Sequence, residues 1–407
     1  MSSSEPNIPI ESGMVKPRYW QDVVGAWLGI GTAPGALIVG AGLASRYGGP
    51  VPLISILVSF VAMFAILWFP GLIGVAPPIG EGVKFTELAP RYFKPGMQRI
   101  LAALIAIGMT GWFGFNVGLG GAALSFLLHL PDFLGPLLIG IAVLVFSLMG
   151  IQRWNGLAAL TTIAVIILVM LISVHYSDRM MPVTLSIRSP FLMIVDIATF
   201  IGYVSVFSVR APDFTAGFRS RRDLFISNLL LCTPVVLISL AGIGLHQGTG
   251  STDLVGILAQ PGGLAIGNML VFLAIIAPSF TILYSGAPAL RAAVGLDETI
   301  GMFVISAVGI GLAIARFDLL FINWLGMLAA LLPPLVVPLS VEATRRRRGR
   351  KPLLVSVWLW LPGAFVSMLL TILKQPIAAL VGFLVSAIVT LAWFFTIERK
   401  EKKPLIS

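Results

Sequence analysis

Gly25-Ala26-Trp27-Leu28-Gly29-Ile30-Gly31-Thr32-Ala33-Pro34-Gly35 lies inside the apolar run 21–45. The run is long enough to cross a hydrocarbon core about 30 Å thick as a helix. Yet Pro34 has no N–H, and its ring clashes with the carbonyl one turn back, so helical hydrogen bonding is expected to fail near mid-depth. An interrupted apolar segment of this kind is the sequence pointer to a secondary carrier that binds its substrate at the membrane midplane. The competing explanation is a kinked but continuous helix whose glycines allow close packing.

Working outward, eleven further apolar runs of similar length occupy 51–75, 100–127, 133–151, 155–176, 190–209, 224–246, 265–290, 299–315, 319–341, 353–373 and 376–397. Strands are excluded there, since the runs show no alternation and only helices satisfy their own backbone in lipid over such lengths. The whole chain agrees. Of 407 residues, 57% are hydrophobic and 11% charged, with a mean hydropathy of +0.99, whereas about a quarter of a globular sequence is charged. The sequence predicts an all-α, multi-pass membrane protein with twelve spans. No cleavable signal is expected, because the start is polar and the first apolar run is too long for a signal segment.

Twelve is even, which puts both termini on one side. Of the 27 Lys and Arg, only Arg46, Arg179, Arg188, Arg316 and Lys374 fall in loops on the opposite side. That bias predicts cytoplasmic termini in the cell membrane. It also accounts for the net charge of +10 without a nucleic-acid partner. The run from Arg345 to Lys351 reads as a topology anchor, with anionic-lipid binding as its other role. A single cysteine, Cys232, removes disulfide, cysteine-zinc and iron–sulfur frameworks.

Function follows by exclusion. His129, His175 and His246 fall at the outer ends of their spans and assemble no metal site, so intramembrane catalysis has nothing to work with. A channel would show charged rings or a repeated filter; a carrier remains. Five spans after the first, the sixth reads Gly202-Tyr203-Val204-Ser205-Val206-Phe207-Ser208, then Arg210-Ala211-Pro212-Asp213-Phe214, a weaker break. Because five is odd, the second unit begins on the opposite face. The expected organisation is a tail 1–19, a first repeat 20–177, an inverted second repeat 189–342, two extra helices 343–397 and a tail 398–407, with helices one and six discontinuous.

Four stretches resemble the nucleobase:cation symporter-1 family, which includes cytosine permeases and a hydantoin transporter. They are Thr110-Gly111-Trp112-Phe113-Gly114-Phe115-Asn116; Pro212-Asp213-Phe214-Thr215 with Phe218-Arg219-Ser220; Leu283-Tyr284-Ser285-Gly286; and Trp324-Leu325-Gly326 through Pro333-Pro334 to Glu342. The likeness covers spans one to ten. It implies a pocket for a flat heterocycle between spans one, three, six and eight, with Gly31 at the break beside the substrate. Trp112 fits such a pocket on its own chemistry, since an indole can stack on a planar base. Asn116, one helical turn later, offers an amide that both donates and accepts. Tyr203 and Phe207 are candidates for the other face of an aromatic sandwich. Core packing is the competing role for Trp112, Tyr203 and Phe207, and a helix–helix hydrogen bond that for Asn116.

The family's polar eighth span is reduced here to Ala277-Pro278-Ser279-Phe280-Thr281. Ser279 and Thr281 are its remaining oxygen donors, and the resemblance pairs them with span-one carbonyls near Gly29 and Thr32 as a sodium site, Ser279 also facing substrate. A proton is the alternative coupling ion. Asp196, seven residues and roughly 10 Å before Tyr203 along a helix, is its candidate carrier, because intramembrane acids are functional by default. A structural or solvated role near the outer headgroups is the other reading of Asp196. The expected activity is symport of a cytosine-, purine- or hydantoin-like heterocycle with sodium or a proton, without other cofactors. The alternatives are an amino-acid or amine carrier on the same fold, and a non-transporting membrane scaffold or sensor.

Overall fold

Helical hydrogen bonding does fail at Pro34. The computed structural model describes residues 17–150, 154–176, 182–186, 189–260 and 265–402, and in it the first span is α1 (Val24–Gly31) followed by α2 (Gly35–Tyr47), bent by 44° across the break. Pro34 cannot donate to Ile30 O, which accepts instead from the Ala33 N–H at 3.3 Å and from the Tyr203 hydroxyl at 3.0 Å. A side chain of the sixth span therefore adds to the tightened turn that replaces the lost helical bond.

The remaining helices, in chain order, are α3 (Leu53–Gly74), α4 (Phe85–Tyr92), α5 (Pro95–Leu128), α6 (Leu134–Leu148), α7 (Trp154–His175), α8 (Pro190–Val209), α9 (Ala211–Thr215), α10 (Arg221–Thr249), α11 (Leu254–Ala259), α12 (Ala265–Ala274), α13 (Ile276–Val294), α14 (Glu298–Ile314), α15 (Phe321–Leu331), α16 (Pro333–Arg347), α17 (Leu361–Ile372) and α18 (Ala378–Lys402). Among the described residues eight helical segments are long and apolar enough to cross a membrane, and the bent α1–α2 pair makes a ninth. Three shorter apolar helices, α6, α14 and α17, occupy the predicted spans 133–151, 299–315 and 353–373. The chain is a multi-pass membrane protein. Large apolar side chains such as Ile163, Met170, Leu237 and Ile388 stay exposed on the outside of the bundle, as lipid-facing surface requires.

The sixth span departs from expectation. α8 runs unbroken through Gly202–Ser208 and ends only at Arg210, after which α9 begins. A lone glycine costs helix stability but removes no donor. Pro212 falls in the first turn of α9, where a missing N–H is harmless. The interruption thus moves to the end of the span. Sequence reasoning also missed α4, an amphipathic helix in the loop after α3, and the full length of α5, whose 34 residues span about 51 Å.

α5 is the central post, packed against α6, α12, α13 and α14, while α2 lies along α10, α3 along α8, and α17 along α18. A Cβ at Gly40 would run into the Ser239 carbonyl, and one at Gly242 into the Leu37 carbonyl, so α2 and α10 meet backbone to backbone. A two-residue parallel ladder, β1 (Val51–Pro52) with β2 (Val183–Thr184), ties two loops together outside the spans. Most of tail 1–19, the end of tail 398–407, and Arg153, Arg179 and Arg188 of the charge distribution lie outside the described residues.

Candidate functional site

Trp112 projects from the middle of α5 into a group of rings. Its indole meets Tyr203 at 5.2 Å and Phe321 at 5.2 Å, both edge-on, and Phe115 and Phe207 at 5.9 Å. Phe115 and Phe321 stack at 3.7 Å, directly against Gly35 at the start of α2, where a Cβ would come within 3.0 Å of the Phe115 ring. Tyr203 and Phe207 both lie against Trp112, and the rings touch one another rather than standing apart as two faces of a slot. Edge-on contacts at these separations are favourable for aromatic quadrupoles.

The Tyr203 hydroxyl has its partner in Ile30 O, but three other polar atoms within this apolar packing have none. Trp112 Nε1 and both amide atoms of Asn116 are buried and accept or donate no hydrogen bond among the described residues. Buried polar groups are normally paired, and an orphan costs about 1–3 kcal/mol. Trp112 Nε1 and the Asn116 amide thus place three orphaned polar atoms one helical turn apart on α5.

The register of α5 adds a fourth polar group. Gly286 abuts Met109, and Ile275 abuts Gly120. The two helices are thus antiparallel, with Asn116 level with Ser279. Gly286 faces α5, and Ser279 lies about two turns earlier on the same stripe. Ser279 is fully buried and donates to Ile275 O at 2.7 Å.

That placement separates the predicted cation ligands. Thr281, two residues on, points away from α5, donates to Ala277 O at 3.1 Å, and lines a cavity of about 180 Å³ with Gly25, Gly29, Ala158, Ala277 and Tyr284. Gly29 and Thr281 thus share one wall between α1, α7 and α13. Ser279 does not join them, because residues two apart on a helix differ by about 200° in direction. Thr32 donates to Leu28 O at 2.6 Å and lies 3.3 Å from Thr162 Oγ1 of α7. Gly31 lies at the break, at the end of α1. A Cβ there would stand 2.7 Å from Leu231 O, so its open face abuts the α10 backbone and serves close packing.

Asp196 is fully buried and heavily engaged. Arg46 Nη2 donates to it at 2.9 Å, the Tyr47 hydroxyl at 2.8 Å and Ser55 Oγ at 2.6 Å. Arg46 also donates to Thr199 Oγ1 at 3.2 Å. The acid fastens α8 to the ends of α2 and α3, away from the ring cluster. At the opposite end of the bundle, Arg210 and Asp213 pair at 2.6 Å. Arg210 donates to Ser285 O of α13 at 2.7 Å, and Asp213 accepts from the Phe85 backbone N–H at 2.7 Å. Sequence reasoning singled out neither Phe321 nor the Arg210–Ser285 link. Phe321 stands one turn before the quoted Trp324, and this nearness is the one signal that pointed to it.

The fold is shared with known transporters. Mhp1, a nucleobase-cation-symport-1 family transporter, in a closed conformation with bromovinylhydantoin bound, superposes with a TM-score of 0.67 at 17% identity, covering 96% of each chain. Its inward-facing conformation matches at 0.67 and 18%, over 96% of this chain and 94% of that one. A manganese transporter of Eremococcus coleocola in complex with an aromatic bis-isothiourea compound gives 0.57 at 13%, over 96% and 92%. MhsT in complex with L-phenylalanine gives 0.55 at 12%, over 91% and 100%. No family model and no curated protein is similar to the chain in sequence. At these identities the likeness concerns architecture: the chain has the fold of these transporters.

Proposed function

We propose that the chain is a secondary active transporter of twelve spans, built as two inverted five-helix repeats plus two helices, with both termini cytoplasmic in the cell membrane. It takes up an uncharged, planar heterocycle of nucleobase or hydantoin type by alternating access. The observation that carries this reading is the orphaned Trp112 indole N–H and Asn116 amide inside a cage of rings. An amide with both functions can read the edge of a flat ring, and the aromatic neighbours can stack on its faces. None of the side chains around it (Phe115, Tyr203, Phe207, Ser279 and Phe321) carries a charge. An amino acid or amine, whose ends need ionic partners, is therefore disfavoured. Mhp1, of the same fold, holds a hydantoin.

The coupling ion is read as sodium rather than a proton. Asp196 would have to surrender its pairing with Arg46 to carry a proton, which is expensive for a buried acid. Backbone carbonyls at the α1 break, with Thr281 on the facing wall, offer the oxygen ligands that a hard cation accepts. Purified protein in proteoliposomes tests both parts. Nucleobase and hydantoin uptake should follow an imposed sodium gradient at clamped pH. Trp112→Phe should weaken binding modestly and Trp112→Ala severely, with insertion unchanged in both. Accumulation driven by a pH gradient alone would refute sodium coupling, and retention of binding in Trp112→Ala would refute the site.

A further inference from the structure

Arg210 stands where α8 ends and α9 begins, three residues and about 4.5 Å of helix beyond Phe207 of the ring cage. The start of the chain is tied down at this end of the bundle, Arg18 N donating to Gly217 O at 2.9 Å. Beside Arg210 a cavity of about 310 Å³ runs between α4, α5, α9 and α13. Its lining passes from exposed Thr86 and Arg99 to buried Ile105, and Trp112 is seven residues, roughly 10 Å, farther along α5. The cavity thus points at the transport site.

Between cavity and cage, α5, α8 and α13 close on one another through three contacts, one for each pair of helices. A Cβ at Gly108 of α5 would stand 2.8 Å from Val206 of α8, and one at Gly286 of α13 would stand 3.1 Å from Met109 of α5. The third contact is polar: Arg210 Nη1 donates to Ser285 O at 2.7 Å. α8 has little other contact with α13.

The remaining guanidinium nitrogens hold Asp213, Nε at 2.7 Å and Nη2 at 2.6 Å, while the other Asp213 oxygen accepts from Phe85 N. Asp213 follows Arg210 by one turn of the same chain and moves with it. Parting Arg210 from Ser285 O therefore leaves the guanidinium with its counter-charge, and no lone buried charge is stranded. Pro288, inside α13 one turn past Ser285, removes a ladder bond and marks a place where that helix can bend. The Arg46–Asp196 pair differs, since it joins α2 to α8 within one packed group.

We propose that Arg210 is the latch of an inner gate: its bond to Ser285 O closes the transport site toward the cytoplasm, and release of that bond, with Asp213 still paired, opens the site into the cavity of Thr86 and Arg99. This rests on the alternating-access reading above.

The test uses full-length protein in inside-out vesicles, with Met109→Cys as reporter above the latch, in a Cys232→Ala background. Reaction with a membrane-impermeant maleimide is timed without substrate. Arg210→Lys keeps a charge for Asp213 but lacks the planar fork that serves both partners, so the reporter should react about tenfold faster, the effect of losing one charge-assisted hydrogen bond. Asp213→Asn leaves Ser285 O as the main partner of Arg210, so the reporter should react more slowly than in the parent. A cysteine at exposed Thr86 should react at one rate in every background. Faster reaction in both variants, as a merely structural ion pair would give, or an unchanged rate in Arg210→Lys, would overturn the proposal. Because the rates need no substrate, a failure of heterocycle uptake would leave them standing, whereas wild-type uptake with an unchanged rate in Arg210→Lys would refute the latch alone.

Discussion

Asn116→Leu should make the substrate-free protein more stable while crippling recognition. The side chain is fully buried, and neither amide atom has a partner among the described residues. Leucine has similar volume and nothing to desolvate. Removing an orphaned polar group recovers about 1–3 kcal/mol, in a position where the surrounding Trp112 and Phe115 packing can accept an apolar neighbour. Substrate would lose two hydrogen bonds of about 0.5–1.5 kcal/mol each, so binding should weaken about 5- to 150-fold at 1.4 kcal/mol per factor of ten. Cys232 is the single thiol and is buried, which makes a thiol-reactive fluorogenic dye a one-site reporter of unfolding. Dye-reported unfolding should shift upward in Asn116→Leu without substrate, and the further upward shift that a ligand gives wild type should vanish. A downward shift with ligand response preserved would mean that the amide is satisfied within the protein, and the site argument would fail. The opposition of stability and function is the expected signature of a binding group held unpaired for its ligand.

Three other outcomes are specific. Asp196→Asn leaves Arg46 without its counter-charge; breaking a buried pair costs about 3–5 kcal/mol, discounted here because Arg46 is partly exposed. The variant should unfold earlier yet still accumulate substrate on a sodium gradient, whereas loss of accumulation with exchange preserved would restore Asp196 as a proton carrier. Cysteines placed at Thr252 and Arg348, both exposed, in a Cys232→Ala background should be labelled from outside and from the cytoplasm respectively, and the reverse pattern would invert the topology. Ser220 is a poorer labelling position, because its hydroxyl caps α10 by accepting from Asp223 N. Asp297 caps α14, and the Thr299 N–H holds its carboxyl below the usual range. Its contribution is therefore present at neutral pH and lost as pH falls through that lowered value. Protection of amides at the start of α14 should fall in wild type only in strong acid, while Asp297→Ala should lower it at neutral pH, the difference between the two vanishing in strong acid.

Sequence alone settled what local chemistry settles. Hydropathy over some twenty residues placed the chain in a membrane, and the missing N–H of Pro34 fixed the break in the first span. The helical spacing of four put Trp112 and Asn116 on one stripe. The weaker signal in the sixth span misled because a glycine without a nearby proline removes no hydrogen bond, so α8 continues past Phe207. Side-chain partnerships across the fold were not legible. Asp196 stands 150 residues from Arg46, and nothing near it in sequence says that two hydroxyls and a guanidinium converge there. The antiparallel register of α5 and α13 was equally hidden. It turns Ser279 toward Asn116 and Thr281 toward Gly29, dividing between two walls what the sequence had joined in one ion site. Local propensity and hydropathy are properties of neighbours in the chain; register and burial are set by how helices far apart in sequence pack, and only the tertiary structure decides them.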